Sequence, residues 1–306
     1  MKVVIAGGTG FLGRPLAHAL AADRHEVVIL TRGAPDRLVA AAGTRFATWT
    51  PGSQRGAWTA EIEGAGAVIN LAGESIAARR WSTAQKHRIL DSRVQATRSL
   101  VETIRAAARP PQVFISGSAV GYYGPLGDEI VTEEQPTGSD FLATVCAQWE
   151  AAAARGAGAA TRVVCMRTGL VIEKDGGALP KMLPPFKLGA GGPVGSGRQY
   201  WPWIHRDDWI ALVRWIIETG SASGPINATA PNPVANAEFS RALGRAMHRP
   251  AFMPAPAFAL RLLLGEMADA LLLSGQRAMP AKAERLGFRF RYTQLDDALR
   301  AIFESR

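Results

Sequence analysis

The sequence predicts an α/β fold, a parallel sheet with crossover helices over roughly the first 170 residues followed by a smaller, mainly helical C-terminal lobe. Three observations predict it. Apolar strand-like runs alternate with helical patterns from the first residue onward; a glycine fingerprint follows the first run; and the texture changes near Lys174 to a long Gly- and Pro-rich stretch.

The elements come in a regular order. "KVVIAG" reads as the first strand, a helix follows from about Gly10 to Ala22, and "HEVVILTR", "TRFATW" and "GAVINLAG" read as buried strands. A long helix from about Thr83 to Ala108 carries Ile89, Leu100, Val101 and Ile104 at helical spacing before Pro110 and Pro111 stop it. "QVFISGS", the helix containing "GSDFLATVCAQWE" and "TRVVCMRTGLVI" complete this part. Beyond it, "KDGGALPKMLPPFKLGAGGPVGSGRQYWPW" predicts a short helix and loops covering the ligand edge of the sheet, and "HRDDWIALVRWIIE" a helix opened by Asp207 or Asp208. Further helices are expected at about 236–248, 256–273 and 293–304, the last opened by Thr293 with Asp296 three residues later. The dinucleotide-sized unit is thus placed at 1–173 plus about 202–230, and the substrate-side lobe at 174–201 plus 231–306.

Composition narrows the function classes. A chain of 306 residues, 47 % apolar, can bury one large core and a smaller one. The apolar stretch "FALRLLLGEMADALLL" holds Arg261, Glu266 and Asp269, which argues for a buried amphipathic helix and against a membrane span. The first strand starts without a charged leader or cleavage site, so a cytoplasmic location is expected. Cys146 and Cys165 are isolated thiols with no metal-type spacing and read as inert core residues; no metal site is expected. The net charge of +9 is dispersed and contains no long basic run, so it favours anionic small ligands, with no nucleic-acid partner.

The chemistry starts at "IAGGTGFLG", which follows a strand and opens a helix. Gly7 permits the tight turn, Gly10 lets the backbone approach a pyrophosphate, and Gly13 lets the helix pack against the sheet. Thr9, Phe11 and Leu12 complete the loop, whose free N–H groups sit at a helix N-terminus. The second strand ends at Thr31 and Arg32, where an acidic residue would grip the ribose of NAD; a guanidinium there suits a 2′-phosphate, so the cofactor expected is NADP(H).

"GGTGFLG", "NLAG", "SGSAVGYYG" and "WIHRDD" together resemble the extended short-chain dehydrogenase/reductase superfamily. "NLAGESI", "RRW", "DEIVTEE", "WEAAA", "RTGLVI", "GGALPKMLPPFKLG" and "NAEFSRALGRAM", in this order, make the chain more similar to its epimerase-like atypical branch, across essentially the whole length. The resemblance implies a Rossmann sheet of about seven strands and an NADP(H) site to which Leu71, Ala72, Gly73, Glu74 and Arg167 also contribute. It leaves the role of the small C-terminal lobe unassigned.

The resemblance also implies a catalytic serine and a tyrosine placed four residues before a lysine. Such a lysine stabilises the phenolate and holds the nicotinamide ribose. Ser118 fits the serine. The tyrosines stand at 122, 123, 200 and 292, and the residues four further on are Leu126, Gly127, Ile204 and Asp296. Aligning Glu150 with the glutamate that follows the pair puts Leu142 and Cys146 at its two positions. Tyr123, then Tyr122, are the candidate surrogate acids, with walling of the pocket as their plainer role. His205, Asp207 and Asp208 read as helix caps. Trp201 stands where nucleotide-sugar enzymes of the superfamily carry an arginine for the diphosphate, with Arg198 or Arg206 as possible compensation; Trp201, Trp203 and Trp209 are expected to wall an apolar pocket. Two functions follow: an NADP(H)-dependent oxidoreductase or epimerase on a small carbonyl or hydroxyl compound, or a non-catalytic NADP(H) sensor. The sequence sets no oligomeric state.

Overall fold

A computed structural model describes residues 1–33, 42–52 and 56–304. The strands are β1 Lys2–Ala6, β2 Glu26–Thr31, β3 Thr44–Thr48, β4 Ala67–Asn70, β5 Val113–Ala119, β6 Ile130–Val131, β7 Arg162–Thr168, β8 Leu170–Ile172, β9 Tyr200–Trp201, β10 Trp203–His205, β11 Gly224–Ala228, β12 Val234–Ala235 and β13 Arg277–Ala278. The helices are α1 Gly13–Ala22, α2 Thr59–Ile62, α3 Thr83–Ala106, α4 Phe141–Ala154, α5 Leu179–Lys187, α6 Arg206–Glu218, α7 Asn236–Met247, α8 Ala257–Leu264, α9 Glu266–Ala268, α10 Ala281–Arg285 and α11 Leu295–Glu304.

Seven strands form one parallel sheet in the order β3-β2-β1-β4-β5-β7-β11. Its two faces follow from the period of two along each strand. Val3, Ile5, Val27 and Ile29 pack under α1 and α6 with Leu16, Leu20, Leu212 and Ile216. Val4, Ala6, Val28 and Leu30 pack on the opposite face with Leu100, Val101 and Ile104 of α3. Strands buried on both faces read as continuous apolar runs, which is why they stand out in the sequence. The chain reverses its strand order between β1 and β4, and that switch point places the ligand cleft at the carboxyl ends of β1, β4 and β5.

A third core joins α5, α7 and α11 through Leu183, Phe186, Phe239, Leu243, Leu299 and Ile302. Trp203 belongs to this core and Trp209 to the α1–α6 face; both are fully buried, with their indole N–H groups donating to the Asn232 carbonyl and Thr168 Oγ1. They are core residues and wall no pocket, because each completes a layer between sheet and helix. The single buried helix expected over 256–273 is also corrected. Gly265, at φ +64° and ψ −141°, breaks it into α8, α9 and a π turn at Asp269–Leu273, and Phe258, Leu262 and Leu263 are exposed. Among the described residues, no helix is long and apolar enough to cross a membrane.

Candidate active site

The glycine loop has the shape of a phosphate cradle. Gly7 lies at φ +81°, and a Cβ on it would meet the Leu71 backbone carbon at 2.7 Å. A Cβ on Gly13 would overlap the Gly7 carbonyl oxygen, so α1 can enter the sheet this closely only with glycine. Gly10 differs: a Cβ there would meet only the Gly7 oxygen, at 3.4 Å, leaving the loop open to the outside where a pyrophosphate would approach. Thr9 is exposed, whereas Phe11 and Leu12 are half-buried. Phe11 is covered by Gly176 and Gly177, where any side chain would strike its ring, and Arg206 lies 5.5 Å from the ring centroid. These residues fit a dinucleotide.

Arg32 follows β2, is exposed, and makes no ion pair among the described residues, while Thr31 Oγ1 accepts from the Gly33 N–H. On the other side of β1, the Leu71 N–H donates to the Ala6 carbonyl, the Ala72 N–H to Asn70 Oδ1, and the Glu74 N–H to Ser92 Oγ. Asn70 itself is fixed by donating to Thr97 Oγ1 of α3 at 2.9 Å.

Ser118, at the end of β5, donates its hydroxyl to Glu150 Oε1 at 2.6 Å. Glu150 lies on α4, whose start is capped by the Asp140 side chain accepting from the Ala143 N–H. Arg167 on β7 clamps Glu150 from the far side, Nε to Oε1 and Nη2 to Oε2, both at 2.9 Å. Its Nη1 donates to the Tyr123 hydroxyl at 3.0 Å, which donates to Asn227 Oδ1 at 2.6 Å. The Asn227 N–H in turn donates to Glu133 Oε1.

This network takes in two expected site residues. Arg167 is 3 % exposed; its donors are taken by Glu150, Tyr123 and the Glu133 carbonyl, and its guanidinium stacks 3.5 Å from the Tyr122 ring centroid. Expected at the cofactor, it here clamps Glu150. Desolvation opposes its charge, but the Glu150 bonds outweigh that and raise its pKa. Tyr123 is 1 % exposed, and burial pushes its phenol up to about 12 against the opposing pull of Arg167. The phenol, expected as a surrogate acid, is enclosed here, with its hydroxyl bonded to Asn227 and Arg167. Tyr122 remains half-buried, edge-on to Tyr123 at 5.5 Å.

His205 and Asp208 act as structure. His205 Nδ1 accepts from the Asp207 N–H at the start of α6, and Asp208 accepts from the backbone N–H groups of Arg291 and Tyr292, tying the C-terminal segment down. Arg206 pairs with Glu173 and Asp175. Cys146 is buried against the Ser118 hydroxyl and the Ala119 N–H, and burial pushes its thiol up to about 11.

Arg93 of α3 escaped the sequence reading, because helical periodicity marks it only as a polar position. It reaches the cleft beside Gly73, its Nη1 donating at 2.9 Å to the carbonyls of Glu74 and Ile89, its Cζ 5.2 Å from the Trp149 ring centroid. Nothing in the local pattern around it signals its reach to the Gly73 backbone. Trp149 reaches in from α4 because Gly117 on β5 has no Cβ to block its ring. Among the described residues, no group of three or more His, Cys, Asp or Glu side chains is placed to hold a metal ion.

The model of the NAD dependent epimerase/dehydratase family matches residues 3–228, nearly the whole sheet and its helices. The chain belongs to that family. A separate model, a domain of unknown function (DUF1731), matches residues 255–302 in the C-terminal lobe. The chloroplastic homologue of the epimerase family protein SDR39U1 from Arabidopsis thaliana is 42 % identical over 99 % of this chain and 87 % of its own length. The epimerase family protein ML0860 of Mycobacterium leprae is 41 % identical over 97 % of this chain and 94 % of its own. Among solved structures, human epimerase family protein SDR39U1 (isoform 2), crystallised with NADPH, superimposes with a TM-score of 0.90 at 35 % identity, covering 100 % of both chains.

Proposed function

We propose that this family member binds NADP(H) along the carboxyl edge of its sheet and acts as an oxidoreductase or epimerase on a small carbonyl or hydroxyl compound. Ser118 backed by Glu150 exchanges the proton. The observation that carries this reading is the 2.6 Å hydrogen bond from the Ser118 hydroxyl to Glu150. NADP(H), when bound, supplies or accepts the hydride. Gly7, Gly10 and Gly13 form its pyrophosphate cradle and Arg32 meets the 2′-phosphate; the human relative crystallised with NADPH supports that choice of cofactor.

In the oxidation direction, Ser118 takes the proton of the substrate hydroxyl as it passes its own to the Glu150 carboxylate. In reduction the proton travels the same path in the opposite sense, ending on the developing alkoxide. One proton moves in each direction, and the Arg167 clamp keeps the carboxylate aimed throughout. The test follows loss of NADPH absorbance across a panel of small aldehydes and ketones. Turnover by the wild-type chain that falls about a hundredfold in Ser118→Ala, with NADPH binding intact, supports the relay. Equal turnover in Ser118→Ala overturns it.

A second reading, a non-catalytic NADP(H) sensor, is favoured by two contacts: Lys86 of α3 pairs with Glu266 of the C-terminal lobe, and Arg80 lies against Gly265. The loop beside the cofactor edge is thereby joined to the lobe. Hydrogen exchange slowed in residues 257–273 on adding NADPH, with no compound in the panel oxidising it, selects this reading.

A further inference from the structure

Arg93 is a guanidinium without a carboxylate. No side chain among the described residues forms an ion pair with it; the Glu74 carboxylate and the Cys146 thiol act on it only from a distance. One of its nitrogens is tethered to two backbone carbonyls, which leaves Nε and Nη2 without a protein acceptor. Neither of those two is fully enclosed, and the residue as a whole is half-buried. Desolvation pulls the pKa of the group down, a penalty that a structural arginine ordinarily offsets with a carboxylate.

Its place in the fold says which ligand atoms it meets. The sheet order puts β2, with Arg32, on one side of β1 and β4–β5 on the other. A dinucleotide whose 2′-phosphate lies at Arg32 and whose pyrophosphate lies on the β1 loop therefore sends its nicotinamide half over β4 and β5. Arg93 stands there, between the Gly73 backbone and the Trp149 ring of α4, one helical turn from Cys146, which lies against the Ser118 hydroxyl. The α4 position where the resemblance implies a lysine holds a thiol, and the neighbouring helix delivers a cation to the same corner.

We propose that Arg93 binds the ribose hydroxyls on the nicotinamide side of NADP(H), anchoring that half of the cofactor from α3. The inference rests on the NADP(H) reading above and on no assumption about turnover.

The test compares two probes by calorimetry on the full chain, NADPH and adenosine 2′,5′-bisphosphate, which keeps the adenine half and lacks the whole nicotinamide mononucleotide. Arg93→Met is expected to weaken NADPH about tenfold or more while leaving adenosine 2′,5′-bisphosphate unchanged, with Arg93→Lys recovering part of the loss. An unchanged NADPH affinity, or equal losses for both probes, overturns the assignment while leaving the cofactor reading intact. A wild-type chain that binds neither probe overturns both. A crystal structure of the wild-type chain with NADPH decides without any variant: an Arg93 nitrogen within about 3.2 Å of a nicotinamide-ribose oxygen is expected, and one beyond hydrogen-bond reach removes the proposal.

Discussion

Arg167 holds Glu150 by two parallel hydrogen bonds of 2.9 Å, and Glu150 receives the Ser118 hydroxyl at 2.6 Å, so a clamp buried between β7 and α4 aims the carboxylate bonded to the serine. Removing one partner leaves the other charge uncompensated in the interior. Arg167→Met is expected to lower the stability measured by urea unfolding by about 3–5 kcal/mol. Adding Glu150→Leu to that variant should restore part of the loss, because no lone charge then remains buried. A single variant as stable as the wild type would show that water reaches this pair.

Tyr123 makes the phenol a structural group. Its hydroxyl accepts from Arg167 and donates to Asn227, so Tyr123→Phe leaves a donor and an acceptor without partners in the interior. The expected cost is about 1–3 kcal/mol in urea unfolding, with NADPH affinity unchanged. Loss of NADPH binding in a folded Tyr123→Phe chain would place the phenol in the cleft instead.

The glycines of the cradle separate packing from binding. A methyl group at Gly13 overlaps the Gly7 carbonyl, so Gly13→Ala should destabilise the fold by about 1–3 kcal/mol. At Gly10 the nearest atom stands 3.4 Å away and the outside is open, so Gly10→Ala should melt near the wild-type temperature yet bind NADPH at least about tenfold more weakly. Equal behaviour of the two variants, in melting and in calorimetry, would contradict the cradle.

The difference between what was and was not legible in the sequence has a physical origin. Strands β1, β2, β4, β5 and β7 are buried on both faces and announce themselves as apolar runs, and Gly7, Gly10 and Gly13 serve one turn, so their spacing is local. The Ser118–Glu150–Arg167–Tyr123–Asn227 network draws on three strands, a helix and a 3₁₀ turn, with partners up to 104 residues apart, and nothing in the local pattern couples them. The turn carrying Tyr123 is visible in "GYYG", but the side to which its ring points depends on Asn227, far along the chain. Trp203 and Trp209 fill layers built by residues far along the chain, and Gly265 breaks a helix whose periodicity continues across it.

The two thiols should be unreactive in the folded chain. Burial pushes Cys146 up to about 11 and Cys165 up to about 12, so the thiolate fraction at pH 8 is very small, and both side chains are enclosed. A thiol-specific disulfide reagent at pH 8 is expected to modify neither residue in the native chain and both in denaturant. Rapid labelling of one thiol in the native chain would reveal an opening of α4 over Ser118.

His205 gives stability an acid limit. Burial disfavours its imidazolium and lowers its pKa below 6.5, with Arg206 acting in the same sense, while Asp207, Glu173 and Asp208 pull the other way without reversing the shift. The unfolded chain therefore binds more protons at this site between pH 6.5 and the lower folded value. The associated stability is complete above about pH 6.5 and declines as the pH falls through that window, by up to about 1.4 kcal/mol per unit. His205→Asn keeps a side-chain acceptor for the Asp207 N–H and removes the titration. Its melting temperature should start below that of the wild type at pH 8, for want of the ring that stacks on Tyr292 at 4.1 Å, and should fall less steeply between pH 6.5 and 5. Parallel curves for the two chains would mean that His205 is not the group being protonated.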